Sequence, residues 1–171
     1  MPPNNQQPTI EPATRDDLET VTDLWVRLAR DQRHHESAVR ADPNRETMRE
    51  TLAAYQINDG LLVARLAGEI VGFASVTLER GSLELDSTRG LLSNIYVEPA
   101  FRDRGIGAAL LAAAEEAAAE RGADEVLLEV MANNEAARRF YRREGYDEFR
   151  VTMARSLETR DENDTHSKED G

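Results

Sequence analysis

Apolar positions follow two rhythms along this chain. Leu18, Val21, Leu24, Trp25 and Leu28 recur every three to four residues. That spacing predicts a helix, capped by Thr14 and running to about Arg30. Met48, Leu52 and Tyr55 predict a second helix from Arg45 to about Ile57, closed by Asn58-Asp59-Gly60. Elsewhere the rhythm is that of strands. Thr9 to Ala13 reads as a short first strand. Leu61 to Leu66 and Ile70 to Leu78 read as a hairpin around Ala67-Gly68-Glu69. After a polar loop from Glu79 to Arg89, Leu91 to Val97 is a strand that stops at Pro99. The alanine-rich stretch beyond Gly107 predicts a helix. It should bury Ile106, Leu110, Ala113 and Ala117 and turn Glu115, Glu116 and Glu120 to water. Arg121-Gly122 closes it. A strand from Glu125 to Met131 follows, then a helix capped by Asn133 or Asn134 and ending at Glu144, then a last strand from Tyr146 to Ala154. Strand-helix alternation in the second half, with a hairpin in the first, indicates an α+β or mixed α/β sheet.

Composition narrows the classes. The chain has 171 residues, enough for one core. A single domain is expected over 9–155, between a polar tail at 1–8 and an acidic tail at 156–171. No apolar run is long enough to span a bilayer and no signal peptide opens the sequence, so a cytoplasmic protein is expected, with no membrane partner. There is no cysteine, which excludes disulfides, thiolate metal ligands and a cysteine acyl-enzyme. Acidic residues number 33 against 21 basic, a formal charge of -12, which opposes nucleic-acid binding. Lys168 is the sole lysine. Acid enrichment with so little lysine suggests adaptation to a salt-rich cytoplasm. His34 and His35 are adjacent, so they cannot share one helix or strand face. They read as an exposed connection between helices, and no metal site is expected.

The stretch from Ile95 to Gly107 carries the chemistry. A β-branched run ends in a Pro turn, two arginines follow, and Gly105 and Gly107 open a helix. The start of a helix has unpaired backbone N–H groups and the positive end of the macrodipole. Glycines let a ligand approach closely, and the natural guest is a phosphate or pyrophosphate.

Arg102-x-x-Gly105-x-Gly107 after Val-x-Pro resembles the acetyl-CoA signature of the GNAT N-acetyltransferase superfamily. Val130-x-x-x-Asn134-x-x-Ala137-x-x-x-Tyr141-x-x-x-Gly145-Tyr146 resembles that family's second signature, in the right order and at the right distance. The resemblance is specific from about Leu91 to Tyr146. It implies a central, mostly antiparallel sheet with splayed middle strands, flanked by about four helices. It implies acetyl-CoA as cofactor, with the pantetheine arm against the backbone of Ile95, Tyr96 and Val97. The pyrophosphate would meet the loop formed by Arg102, Asp103, Arg104, Gly105, Ile106, Gly107 and Ala108. Family members often carry Gly-Lys where this chain has Asp103-Arg104. Arg104 keeps the positive charge, and the Asp103 side chain is expected to point away.

The resemblance makes Tyr141 the general acid for the departing thiolate, and a phenol with pKa about 10 suits that task. The plain alternative is a core aromatic beside Phe140. Asn134 would hydrogen-bond the cofactor or a nearby water, or simply cap its helix. Glu129, among apolar neighbours in a predicted strand, is the candidate base for the ammonium of the acceptor. Leu128-Glu129-Val130 also resembles the corresponding strand of protein N-terminal alanine acetyltransferases. The alternatives are an ion pair with an arginine, or bases elsewhere: Glu84, Asp86, or Asn94 through water. The implied mechanism is direct attack in a ternary complex, with the Val97 N–H at the developing oxyanion. The acceptor would be a small amine or a protein N-terminus, and dimers are common in the family. In this family the segment around His34 usually helps form the acceptor pocket. Competing readings are a non-catalytic acetyl-CoA sensor and a dinucleotide-binding oxidoreductase. Leu110 stands where the latter needs its third glycine.

Overall fold

The structure is a computed structural model and describes residues 7–79 and 83–158. The segments expected to be polar tails, and Gly81 of the polar loop, fall wholly or mostly outside the described residues. The chain divides into two compact units, the first ending at Arg138 and the second beginning at Arg139.

The first unit is built on a five-stranded sheet in the order β1-β2-β3-β4-β5. Its strands are β1 (Thr9–Pro12), β2 (Leu61–Leu66), β3 (Glu69–Leu78), β4 (Arg89–Val97) and β5 (Glu125–Leu128). The first three neighbour pairs are antiparallel, and β4 and β5 are parallel. Two helices, α1 (Leu18–Arg33) and α2 (Arg45–Ile57), precede β2; α3 (Ile106–Glu120) links β4 to β5. The helix α4 (Glu135–Arg143) spans the boundary between the units. This is the expected mixed class, a mostly antiparallel sheet with four helices.

Alternation along the strands separates two cores. On one face Leu61, Val63, Phe73 and Tyr96 pack with Val21, Leu24, Trp25 and Leu28 of α1 and Leu52 of α2. On the other, Leu62, Ala64, Ala74, Val76 and Leu92 alternate with that set and meet α3. The buried residues of α3 are Ile106, Leu110, Leu111, Ala114 and Ala118, rather than Ala113 and Ala117. Alanine stands at 113, 114, 117 and 118 alike, so periodicity lacks the contrast to choose between them. Gly90 decides: a Cβ there would lie 2.8 Å from Ala118 Cβ, so the helix seats its 114/118 edge on a glycine in the sheet.

The entry to α1 is fixed by charge. Asp17 is buried and accepts hydrogen bonds from the Thr14 N–H at 2.7 Å and from Arg65 Nη2 at 2.5 Å. Burial pushes its carboxyl up, but the Thr14 and Arg65 bonds outweigh that and hold it below the usual range.

Two expected strands differ. β5 ends at Leu128 rather than Met131. Its partner β4 bulges at the next position, and a bulge turns a strand edge away from its neighbour. In the second unit the residues after α4 form no strand among those described, although Tyr146 to Ala154 has strand character. Phe149, Val151 and Met153 are exposed there. Alternation alone does not hold a strand; ladder hydrogen bonds from a partner do.

Candidate functional site

The site begins where β4 loses a partner. β4 pairs with β5 from Arg89↔Glu125 to Leu92↔Leu128 and no further. On its other edge β4 stays paired with β3 through Gly72↔Val97. The β3 register jumps from Ser75↔Asn94 to Val76↔Leu92, leaving Ser93 as the extra residue of a bulge. Beyond it, the second edge of Ile95 to Val97 carries no strand among the described residues.

Which backbone groups face that open edge follows from the ladder. The Glu98 N–H donates to Val71 O at 2.8 Å, so 71 and 98 form a hydrogen-bonded pair. Antiparallel pairs alternate, so Phe73/Tyr96 and Ser75/Asn94 are also hydrogen-bonded pairs. The N–H and C=O of Ile95 and Val97 therefore point to the open side. Those of Tyr96 point to β3. Of the three residues expected to offer backbone groups there, the ladder leaves two.

Past Pro99 the chain turns into the Arg/Gly loop. Asp103 has φ 63° and Gly105 φ 80°, both left-handed. Gly105 is the N-cap of α3. The first intrahelical bond runs from Ala109 N–H to Gly105 O at 3.1 Å. Helix geometry leaves the N–H groups of Ile106, Gly107 and Ala108 without intrahelical acceptors. A Cβ at Gly105 would have nothing within 4 Å, so the space beside this helix start is open. The open edge and the bare N–H groups are successive along the chain and suit an extended ligand ending in phosphates.

The two arginines are not equivalent. Arg102 Nε donates to Val97 O at 2.9 Å, its guanidinium lies 5.6 Å from the Tyr96 ring centroid, and Nη2 is 3.4 Å from Asp31 on α1. It braces the end of β4. Arg104 is 5.5 Å from the Phe101 ring. Burial pushes the Tyr96 phenol up, and Glu98 and Asp31 add to that against Arg102 and Arg27.

Asn134 Oδ1 accepts the Ala137 N–H at 3.2 Å, so it caps α4. Glu129 lies one residue past β5 and is exposed, so the burial that marked it in the sequence does not hold. In the second unit Tyr141 is half-buried, with Phe140 and Tyr146 ring centroids at 5.3 and 6.0 Å. Burial pushes its phenol up to about 12. His34 is exposed at the end of α1.

Two features were not singled out in the sequence as belonging together. Tyr55 OH and Ser93 Oγ are 2.8 Å apart, and Asn94 Nδ2 donates to Ser75 Oγ at 2.8 Å. The signal was present: Ser93-Asn94 interrupts an apolar run with two successive polar residues, as a bulge does. A separate cleft of about 230 Å³ lies between α1 and the β2–β3 turn, lined by Asp23, Arg27, Glu69, Glu98 and Phe101 among others. It includes none of the expected site residues. Among the described residues no group of three or more His, Asp or Glu could hold a metal ion. No helix among them is long and apolar enough to cross a membrane.

The description "Acetyltransferase (GNAT) family" fits residues 20–146. The chain belongs to the GNAT family. An uncharacterized N-acetyltransferase of Archaeoglobus fulgidus is 40% identical to this GNAT chain over 83 residues, 48% of this chain and 56% of the relative. An N-alpha-acetyltransferase of Sulfurisphaera tokodaii is 36% identical over 95 residues, 52% of this chain and 57% of its own. The matches thus span about half the length of these curated relatives. An aminoglycoside N-acetyltransferase solved in complex with CoA superposes with TM-score 0.71 at 21% identity, covering 92% of this GNAT chain and 99% of its own. At that identity the likeness speaks to the fold.

Proposed function

We propose that this protein is an N-acetyltransferase that moves an acetyl group from acetyl-CoA to a primary amine by direct attack in a ternary complex. The observation that carries this reading is the open edge of β4 at Ile95 and Val97 running into the Gly105-capped start of α3. Bound acetyl-CoA supplies the acetyl group as a thioester. The N–H and C=O of Ile95 align the pantetheine arm, the Val97 N–H faces the thioester end while Arg102 Nε holds the Val97 C=O, and Tyr96 fixes their direction by pairing with β3. The N–H groups of Ile106, Gly107 and Ala108, with Arg104, take the pyrophosphate. Arg102, Asp103 and Gly105 shape that loop, and Asn134 sets the start of α4.

The Val97 N–H donates to the carbonyl oxygen as charge develops there. Tyr141 gives its proton to the departing sulfur. A phenol raised to about 12 stays protonated through the neutral range, as a donor must. Glu129 takes a proton from the ammonium of the acceptor. No acyl-enzyme through cysteine is available, because the chain has none. The names of two similar proteins, one specifying an alpha-amine and one an aminoglycoside, support reading the acceptor as a primary amine, small molecule or peptide N-terminus.

The test is thiol release from acetyl-CoA against polyamines, amino acids, aminoglycosides and peptides beginning with alanine, serine or methionine, in molar salt. Turnover is expected with one class. Tyr141→Phe should lower kcat about a hundredfold with acetyl-CoA affinity unchanged. An unchanged rate removes Tyr141 from the mechanism, and Glu129→Gln leaving the pH profile unmoved hands its role to water. Silence with every amine, while acetyl-CoA still raises the melting temperature, leaves a cofactor-binding module.

A further inference from the structure

We propose that the Tyr55–Ser93 hydroxyl pair is the contact that orients the acceptor amine, with Ser93 Oγ accepting an N–H of the amine and Tyr55 holding Ser93 in place. This rests on the acetyltransferase reading above.

Four observations meet at Ser93. It is the extra residue of the β4 bulge, at the position where pairing with β5 ends and the open edge begins. It is exposed, and no other residue of β4 is. A polar, solvent-open position within a strand paired on both sides up to Leu92 has no packing role to explain it. Its hydroxyl lies 2.8 Å from Tyr55 OH. Tyr55 belongs to α2 and packs against the α1/α2 core, so the opening over Ser93 is on that face of the sheet. The α3 helix start, with its bare N–H groups, belongs to the helix that covers the other face. The two openings therefore reach β4 from opposite faces, as two reactants require when they meet at one strand.

The chemistry of the pair selects the ligand. Two hydroxyls hold two protons and four lone pairs, and the bond between them uses one of each. Three lone pairs and one proton remain. A primary amine or ammonium, rich in N–H donors, matches a surplus of acceptors. The acceptors are also neutral. A carboxylate at this position would stabilise the ammonium and raise its pKa; a hydroxyl pair orients the nitrogen and leaves its lone pair available. Tyr55 is held for this duty. The Gly60 N–H donates to Tyr55 O at 2.8 Å, and a Cβ at Gly60 would lie 2.1 Å from Val76 O, so the turn that anchors the end of α2 beside β3 requires the glycine.

The experiment compares wild type, Ser93→Ala, Tyr55→Phe, the double variant and Ser93→Thr. Spermidine, kanamycin and a tetrapeptide beginning with alanine serve as separate acceptors. Ser93→Ala and Tyr55→Phe should each raise the acceptor KM about tenfold, the most a single hydrogen bond of this kind supplies. The double variant should be no worse than the poorer single one, because the two act through one contact. Ser93→Thr, which keeps the hydroxyl, should restore the acceptor KM. The KM for acetyl-CoA and the melting temperature should stay near wild type, which a merely structural role would not allow. Acceptor KM values within twofold of wild type in both single variants overturn the inference and leave the acetyltransferase reading standing. If no acceptor is turned over by wild type, both fall together, and a melting temperature still raised by acetyl-CoA keeps the cofactor site alone.

Discussion

β4 is one strand with two unlike halves. From Arg89 to Leu92 it is paired on both edges, and α3 lies close enough over Gly90 to exclude a Cβ. From Ile95 to Val97 it is paired on one edge; the N–H and C=O of Ile95 and the N–H of Val97 face the open side, and Arg102 Nε holds the Val97 C=O. Both halves carry successive apolar residues, Leu91 and Leu92 in the first and Ile95, Tyr96 and Val97 in the second. Ser93 separates them: one inserted residue ends the parallel ladder, and the lost pairing becomes a row of donors and acceptors for a ligand. A sheet can thus make a binding edge in its middle, where the structure around it is rigid.

The sharpest way to break this comparison is to delete single backbone N–H groups by amide-to-ester replacement. At Val97, whose N–H faces the open side, turnover should fall about a hundredfold, the scale of losing one oxyanion donor, with little loss of stability. At Tyr96, whose N–H belongs to the β3 ladder, stability should fall by about 1 kcal/mol with turnover per folded molecule kept. Denaturant titration and steady-state rates on both proteins decide it. Equal effects at the two positions would refute the assignment of edges.

The paired half responds differently. Gly90→Val should cost about 2–3 kcal/mol by driving α3 off the sheet, read as a lower denaturation midpoint. The acetyl-CoA affinity of the remaining folded protein should stay near wild type. A large loss of affinity at unchanged stability would show that the halves are not separable.

A further effect is expected on alkaline stability. Burial raises the Tyr141 phenol from 10.0 to about 12. The unfolded chain then ionises this group first, so between about pH 10 and 12 it binds fewer protons than the folded chain, and stability falls as pH rises. Below pH 10 the contribution is whole. Tyr141→Phe should flatten this part of the stability–pH curve, and an unaltered slope would contradict the buried phenol.

The sequence determined most elements by itself, because their periods are local. The 3–4 spacing of α1 and α2 and the Ala67-Gly68 hairpin turn each follow from neighbouring residues. The order strand, Arg/Gly loop, helix was equally legible. Tertiary structure decided what depends on a partner far away in the chain. The face of α3 was set by Gly90 across the sheet, since alanine at 113, 114, 117 and 118 alike carries no periodic signal. The strand character of Glu129 to Met131 and of Tyr146 to Ala154 did not become strand, because ladder bonds come from another segment. Arg102 was drawn to Val97 O and Asp31, contacts that no spacing encodes. The Ser93 hydroxyl found Tyr55 across 38 residues only when α2 packed on the sheet. Local sequence writes dihedral preferences and amphipathic faces; which face meets which, and which edge stays open, is settled by packing and by register.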